Sequence, residues 1–570
     1  MDKNLQDKIR GSLIGGAVGD ALGYPVEFLS YAGIVQKYGD KGITRYELDR
    51  NSGKALISDD TQMTLFTTNG LLFGITRIET HGALGMDLHD YVKEAYKEWY
   101  ETQTGVRDYY NYHTCWIRDI KDLNVRRAPG NTCMSALQSI VNGKEVLNDS
   151  KGCGGVMRVA PVGCFMANQN NEFDWNTHSV NKYAAECAAI THKHPLGYIP
   201  AAVLANVVFR VLIAKEPVSK GFLIQIVESA LADAREDFIK EKEVKAWREL
   251  RTLMNNAMRL SNSDIPDAEA IKQLGEGWTG DEALAIAVYC SLKHSDSFED
   301  AIVAAVNHNG DSDSTGAICG NIMGAVVGYE AIPTCYVENL EMRELIVDLS
   351  DDLTEGCQIN EYKHASTPSE LLWEQKYIFI NPIFESARHS YCITEGGKRA
   401  LDIVKIESEY GNASTLEEKS ECCLKYALTL YDNCDFDPNG QVLFSNGTLH
   451  QHCTREFNPA YFVLDEKFKI QFRLACFKTS EPIVALRSKN RCNDLDFAKP
   501  ICGIMRLYNP ELNKLYPNGG WQYYLIDKCS VSQDGFATIE ILLGKKCMLD
   551  VAMLGNDGKL HRIYSWNWIL

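Results

Sequence analysis

Gly-Asp-Ser-Asp-Ser-Thr-Gly-Ala-Ile-Cys-Gly-Asn-Ile-Met-Gly-Ala-Val-Val-Gly, residues 310–328, carries a glycine at every fourth position from Gly316 to Gly328. The stretch Gly-Ser-Leu-Ile-Gly-Gly-Ala-Val-Gly-Asp-Ala-Leu-Gly at 11–23 repeats that spacing at Gly11, Gly15, Gly19 and Gly23. A period of four places each set on one helical face. Glycine inside a helix costs roughly 0.5–1 kcal/mol against alanine, so four per helix need a packing reason, and close approach of two backbones supplies one. A membrane span is the poorer reading. Spanning takes about 20 mainly apolar residues, whereas the first stretch holds Asp20 and runs on to Glu27, and the second meets Tyr329 and Glu330 at once.

Two acidic clusters stand beside helix-like stretches: Ser58-Asp59-Asp60-Thr61 and Asp311-Ser312-Asp313-Ser314-Thr315. Helix N-capping explains one acid in each cluster, but not paired acids flanked by hydroxyls in both. Neither cluster contains Cys or His. Oxygen donors of this kind suit Mg²⁺, Mn²⁺ or Ca²⁺ rather than Zn²⁺, so the pattern predicts a hard-metal site and metal-assisted chemistry.

At 570 residues the chain exceeds the usual single-core limit and is expected to form at least two domains. A net charge of −18 without a clustered excess of Lys and Arg speaks against nucleic-acid binding. It leaves room for a small anionic ligand at a locally positive metal site or helix N-terminus. The beginning of the sequence has neither the basic end nor the long apolar run of a secretory signal. The 19 cysteines are an odd number without any Cys-x-x-Cys, which fits reduced cytoplasmic thiols. Cys422-Cys423 is the sole adjacent pair, and no flanking base marks it as redox-active.

Residues 1–365 read as an all-α domain, with apolar residues at helical spacing over 199–214, 222–232, 244–258 and 280–292. Glycine-rich polar segments at 127–132, 151–158 and 275–278 punctuate it as loops feeding helix starts. Beyond them the texture changes. Alternation at 468–474 and 537–541, with turn signals at 517–520, 533–535 and 555–558, predicts a β-rich domain of sandwich or barrel type over residues 370–570.

Six motifs in order carry a resemblance: Gly-Ala-Val-Gly-Asp-Ala-Leu-Gly (16–23) with Glu27, Ser-Asp-Asp-Thr-Gln-Met (58–63), Arg-Ala-Pro-Gly-Asn-Thr (127–132), Gly-Cys-Gly-Gly-Val-Met-Arg (152–158), Thr-His (191–192) and Gly-Asp-Ser-Asp-Ser-Thr-Gly (310–316). Residues 1–335 resemble the ADP-ribosylglycohydrolase family. The resemblance implies an all-α fold with two divalent cations, Mg²⁺ or Mn²⁺, held by Ser58, Asp59, Asp60, Asp311, Asp313 and Ser314 at the base of an ADP-ribose cleft. It further implies hydrolysis of the N-glycosidic bond of mono-ADP-ribosylated protein, most plausibly on arginine, releasing ADP-ribose. Asp60 is the expected base for the attacking water, and Glu27 the second candidate, matching a glutamate that stands by the metals and gates access.

Backbone N–H groups at Gly130, Asn131 and Thr132, and at Gly154, Gly155, Val156 and Met157, are candidates to hold the diphosphate. Arg158 either assists them or fixes the loop through an internal ion pair, since a guanidinium fork serves carboxylate and phosphate alike. His192 divides between a ligand-side hydrogen bond and a buried, satisfied histidine. Its i, i+2 spacing from His194 argues against a zinc pair. Tyr109, Tyr110 and Tyr112 are candidates to stack on adenine, with plain packing the commoner role for such a cluster. The Asp-Ser-Asp-Ser-Thr form resembles arginine-type hydrolases more than relatives with Asp-Thr-Asp-Thr. Residues 370–570 lie outside the resemblance and are expected to bind a partner or mediate oligomerisation. The alternatives are hydrolysis of another ADP-ribose linkage or a nucleotide phosphoester, and a catalytically silent ADP-ribose-binding module.

Overall fold

The computed structural model describes residues 2–360 apart from 82–85, 106–112, 169–175 and 240–242, then the helix Pro368–Tyr377 with Ile378 and Ile380. Beyond these, apart from Glu409, it describes the strands given below. The chain divides into two compact units, one built on the N-terminal helices and one on the C-terminal strands.

The first unit is all-α. At its centre the helices Lys3–Gly23 and Ser312–Val327 lie against each other along their glycine faces. The pairing descends in register: a Cβ on Gly11 would strike the Gly324 carbonyl, on Gly15 the Gly320 carbonyl, on Gly19 the Gly316 carbonyl, and on Gly23 the Ser312 carbonyl. The two helices are therefore antiparallel and nearly in backbone contact. Hydrogen bonds bridge the seam, from Ser12 Oγ to the Asn321 carbonyl and from Asn321 Nδ2 to the Ser12 carbonyl, both at 2.9 Å. This pairing carries the end of the first helix, and Glu27 after it, to the start of the second, where Asp311 and Asp313 stand.

The segments read as helical over 199–214, 222–232, 244–258 and 280–292 appear as Pro195–Leu212, Lys220–Phe238, Val244–Leu260 and Gly280–Lys293. Pro195–Leu212 is long and apolar enough to cross a membrane, yet 83% of it is buried. It packs on Ala160–Ala167, Thr177–Ala189 and Lys220–Phe238, as a core helix does. The helix Pro368–Tyr377 docks through buried Trp373, Lys376 and Tyr377; the Lys376 ammonium bridges Asp348 at 2.9 Å and Asp352 at 2.8 Å.

In the second unit the described strands form three sheets. Five strands run in the order Phe462–Leu464, Leu560–Trp568, Cys547–Leu554, Gly503–Tyr508, Trp521–Ile526, antiparallel except for the first pair. Four run Ile470–Ala475, Ile483–Ser488, Ala537–Leu542, Ser530–Val531, all antiparallel. Cys434–Phe436 pairs with Val442–Phe444. The segments read as alternating, 468–474 and 537–541, overlap two of these strands, while the three turn segments and Cys422-Cys423 lie outside the described residues.

Candidate functional site

Three helix starts meet at one cleft of about 460 Å³, large enough for a nucleotide-sized ligand. They belong to Asp59–His81, Ser312–Val327 and Asn131–Val141. Helix N-termini carry partial positive charge, which favours the carboxylates of the first two and leaves the third open to an anion. The start of Asp59–His81 is capped from another helix. Buried Asp20, one residue past the glycine that meets Gly316, accepts from the Ser58 N–H at 3.0 Å, the Thr61 N–H at 3.1 Å and the Thr61 hydroxyl. Asp311 caps its own helix by accepting from the Ser314 N–H at 3.3 Å, and Gly277 packs on it so tightly that a Cβ there would lie 3.3 Å from the Asp311 Cβ.

Glu27, Asp59, Asp60, Asp311, Asp313 and Ser314 all line the cleft and are all buried. One oxygen each from Glu27, Asp311 and Asp313 fall within 4.8 Å of one another. Of the buried oxygens in the cleft, Glu27 Oε2 and Asp60 Oδ2 have no hydrogen-bond partner among the described residues. Burial, with repulsion from Asp311, Asp59 and Asp20, pushes the Glu27 carboxyl up to about 9. Burial pushes Asp59 up to about 8 against the Gly130 N–H, and pushes Asp60 and Asp313 well above the carboxylate range, each with help from its acidic neighbours. Crowded carboxylates with unsatisfied oxygens and all-oxygen donors fit hard divalent cations, which would supply the missing positive charge. Ser58 sits just behind, its Oγ accepting from the Asp60 N–H at 3.1 Å.

The glycine segments divide. Gly130, Asn131, Thr132, Gly154 and Met157 line the cleft, whereas Gly155, Val156 and Arg158 are buried and do not. The Gly130 N–H is already given to Asp59 Oδ2 at 3.2 Å. Gly155 answers to packing, since a Cβ there would lie 2.6 Å from the Gly197 carbonyl. Arg158 faces the interior. Its guanidinium lies 4.3 Å from the Tyr96 ring centroid and donates to Thr191 Oγ1 at 2.6 Å, Met63 Sδ at 3.2 Å and Cys133 Sγ at 3.3 Å. It fixes the loop through an aromatic face, a hydroxyl, the Cys187 carbonyl and two sulfurs, with no ion pair among the described residues. His192 lines the cleft with Nδ1 2.8 Å from the Thr191 hydroxyl. Burial, with the Arg158 charge beside it, pulls His192 down to about 3, so the ring is neutral near pH 7. Tyr109, Tyr110 and Tyr112 lie outside the described residues.

Four further residues belong to the site to which the sequence patterns assign no role in it. Asp20 caps a helix 38 residues away. Arg126 is exposed and lines both the cleft and an adjoining groove that shares Asn131 and Thr132. Phe28 and Trp278 stack at the cleft, 6.0 Å between centroids and 22° between planes. No local pattern reveals a contact between segments so far apart in the chain.

An all-α domain that draws oxygen-rich acidic helix starts into a cleft with an anion-ready helix start could hold a hard cation beside an anionic ligand. The family model described as ADP-ribosylglycohydrolase matches residues 1–362, and the chain belongs to that family. An uncharacterized protein of Archaeoglobus fulgidus is 28% identical over 362 residues, covering 62% of this chain and 97% of its own. The ADP-ribosyl-[dinitrogen reductase] glycohydrolase of Rhodospirillum rubrum is 25% identical over 346 residues, 60% of this chain and 92% of its own. The ADP-ribosylhydrolase ARH3 of Homo sapiens is 25% identical over 211 residues, 34% of this chain and 54% of its own.

Proposed function

We propose that the chain hydrolyses the N-glycosidic bond of mono-ADP-ribosylated protein, with arginine as the acceptor, and releases ADP-ribose. The observation that carries this reading is the convergence of Glu27, Asp59, Asp60, Asp311 and Asp313 on a cleft that also holds the Asn131–Val141 helix start. Asp59, Asp60, Asp311 and Asp313, with the hydroxyls of Ser58 and Ser314, would hold two divalent cations, Mg²⁺ or Mn²⁺. Such cations supply Lewis acidity toward oxygen.

The chain's own residues divide the remaining work. Asp60, whose Oδ2 lacks a partner, takes the proton of the water that attacks ribose C1″. The guanidine nitrogen departs as a neutral base and, being strongly basic, takes a proton from solvent, while Asp60 returns to solvent the proton it took from the water. Glu27 stands at the acceptor side and governs access. The N–H groups of Asn131 and Thr132 receive the diphosphate where the helix start favours anions, and neutral His192 adds a hydrogen bond. The Asp-Ser-Asp-Ser-Thr motif favours arginine over serine or polymer linkages.

The N-terminal unit forms the catalytic domain, with the helix Pro368–Tyr377 docked on it rather than beyond the boundary expected at 365–370, and the strand-bearing region that follows is a β-rich accessory domain that binds a partner or joins copies of the chain. A reducing, cytoplasmic setting suits Cys153, Cys187 and the other cysteines with described side chains, which are free thiols. The test compares ADP-ribose release from arginine-linked, serine-linked and poly(ADP-ribose) substrates. Release from arginine alone supports the reading; release from another linkage replaces the acceptor; AMP as product replaces glycosidic with pyrophosphate cleavage.

A further inference from the structure

We propose that Phe28 and Trp278 form the acceptor subsite, an aromatic pair that receives the planar guanidinium of the modified residue. The inference rests on the arginine reading above and goes beyond it by naming the residues that choose the acceptor.

Phe28 is 73% exposed and Trp278 39%, both among the few exposed large hydrophobic side chains of the described residues. Two such rings face to face on a cleft wall keep apolar surface in water without burying it, the mark of a binding surface rather than a core. Their place in the cleft is set by the backbone. Phe28 follows Glu27 directly, and Trp278 follows Gly277, which packs on Asp311 and Thr315. The Trp278 carbonyl accepts from the Cys153 N–H at 3.2 Å, and the Asp311 N–H donates to the Glu276 carbonyl at 2.8 Å, so the Trp278 loop is pinned to the acidic centre. The pair therefore stands at the carboxylate end, where the scissile bond and the departing group belong. The helix start at Asn131 and the Arg126 cation mark the other chemistry, suited to the diphosphate.

What fits between rings at an acidic end is a flat cation. Guanidinium stacks on aromatic faces and holds its charge at any physiological pH. The rings need only part from 6.0 Å to roughly 7 Å, two van der Waals contacts, to take a planar group between them. Five carboxylates line the cleft, and two divalent cations with the Arg126 guanidinium balance them only until the diphosphate of the ligand enters, so a cationic acceptor offsets the negative charge that the ligand brings. A serine hydroxyl offers neither the plane nor the charge.

The full chain with Mg²⁺ is assayed as wild type, Phe28→Ala, Trp278→Ala and Trp278→Phe, for KM and kcat on arginine-linked ADP-ribosyl protein and for affinity toward free ADP-ribose and toward agmatine. Each alanine variant is expected to raise KM by about tenfold and to weaken agmatine to a similar degree. Affinity for ADP-ribose stays within about twofold, and Trp278→Phe restores most of the loss. Unchanged KM and agmatine affinity in both alanine variants, or ADP-ribose weakened in parallel, overturns the assignment. If wild type cleaves no arginine linkage, the functional reading fails by itself; agmatine binding that depends on Trp278 then still supports the subsite, and absence of agmatine binding overturns it.

Discussion

The Asp20 carboxylate accepts the Ser58 backbone N–H through both oxygens at 3.0 Å, so a residue of the glycine-faced helix holds the start of the helix that carries Asp59 and Asp60. Removing it leaves the Ser58 and Thr61 donors buried and unpaired. Asp20→Ala is expected to destabilise the chain by about 3 kcal/mol in urea unfolding and to weaken Mn²⁺ binding. A loss below about 0.5 kcal/mol, within the range of a surface substitution, would mean that the cap carries no load.

Glycines of the two kinds separate cleanly. A Cβ at Gly19 would collide with the Gly316 carbonyl, whereas one at Gly130 meets nothing within 4 Å. Gly19→Ala is expected to cost about 3 kcal/mol by forcing two backbones apart, and Gly130→Ala less than about 1 kcal/mol. Thermal melts of the two variants check the contrast, and equal losses would contradict it.

Stability should depend on pH through the acidic centre. Asp20 is raised to about 6, Asp59 to about 8 and Glu27 to about 9 by burial first and by neighbouring acids for the last two. Between about pH 4 and 9 these carboxyls hold more protons in the cation-free folded chain than in the unfolded chain, so the stability they contribute falls as pH rises, with neutral His192 opposing them only below about pH 6.5. Cations that replace those protons stabilise more at high pH. In chelator the melting temperature is expected to drop from pH 5 to pH 8, and the rise on adding Mn²⁺ to be larger at pH 8. A flat profile with equal increments would contradict the burial of these groups.

The two arginines should behave oppositely. Arg126→Ala is expected to weaken ADP-ribose about tenfold, the worth of one charge-assisted hydrogen bond, with the melting temperature unchanged. Arg158→Ala removes a buried stem and its contacts to Tyr96 and Thr191 and is expected to cost about 3 kcal/mol. Calorimetric titration beside unfolding curves reads both, and the reverse pattern would exchange their roles.

Much of the acidic centre was legible because paired acids and hydroxyls at helix starts are local signals, and the glycine faces were legible because a period of four survives in any single helix. What remained hidden depends on distance along the chain. Arg158 has the same neighbours in sequence whether it faces phosphate or Tyr96, and only folding chooses. Asp20 looks like one more residue of a glycine-rich helix until Ser58 is brought beside it. Phe28 and Trp278 become a pair through the register of Gly23 against Ser312 and of Gly277 against Asp311. The Thr191–His192 segment fits a ligand-side or a buried role in sequence, and the structure joins both: the ring is buried and bonded to Thr191, yet it lines the cleft.

The most direct measurement is ADP-ribose release from arginine-modified protein by wild type, Asp60→Asn and Asp311→Asn, each after chelation and again after Mg²⁺ or Mn²⁺ is restored. Release that vanishes with chelator, returns with cation in wild type, and stays absent in both variants while their melting curves show a folded chain is the expected result. Release that survives chelation, or full activity in Asp311→Asn, would contradict a metal-dependent acidic centre.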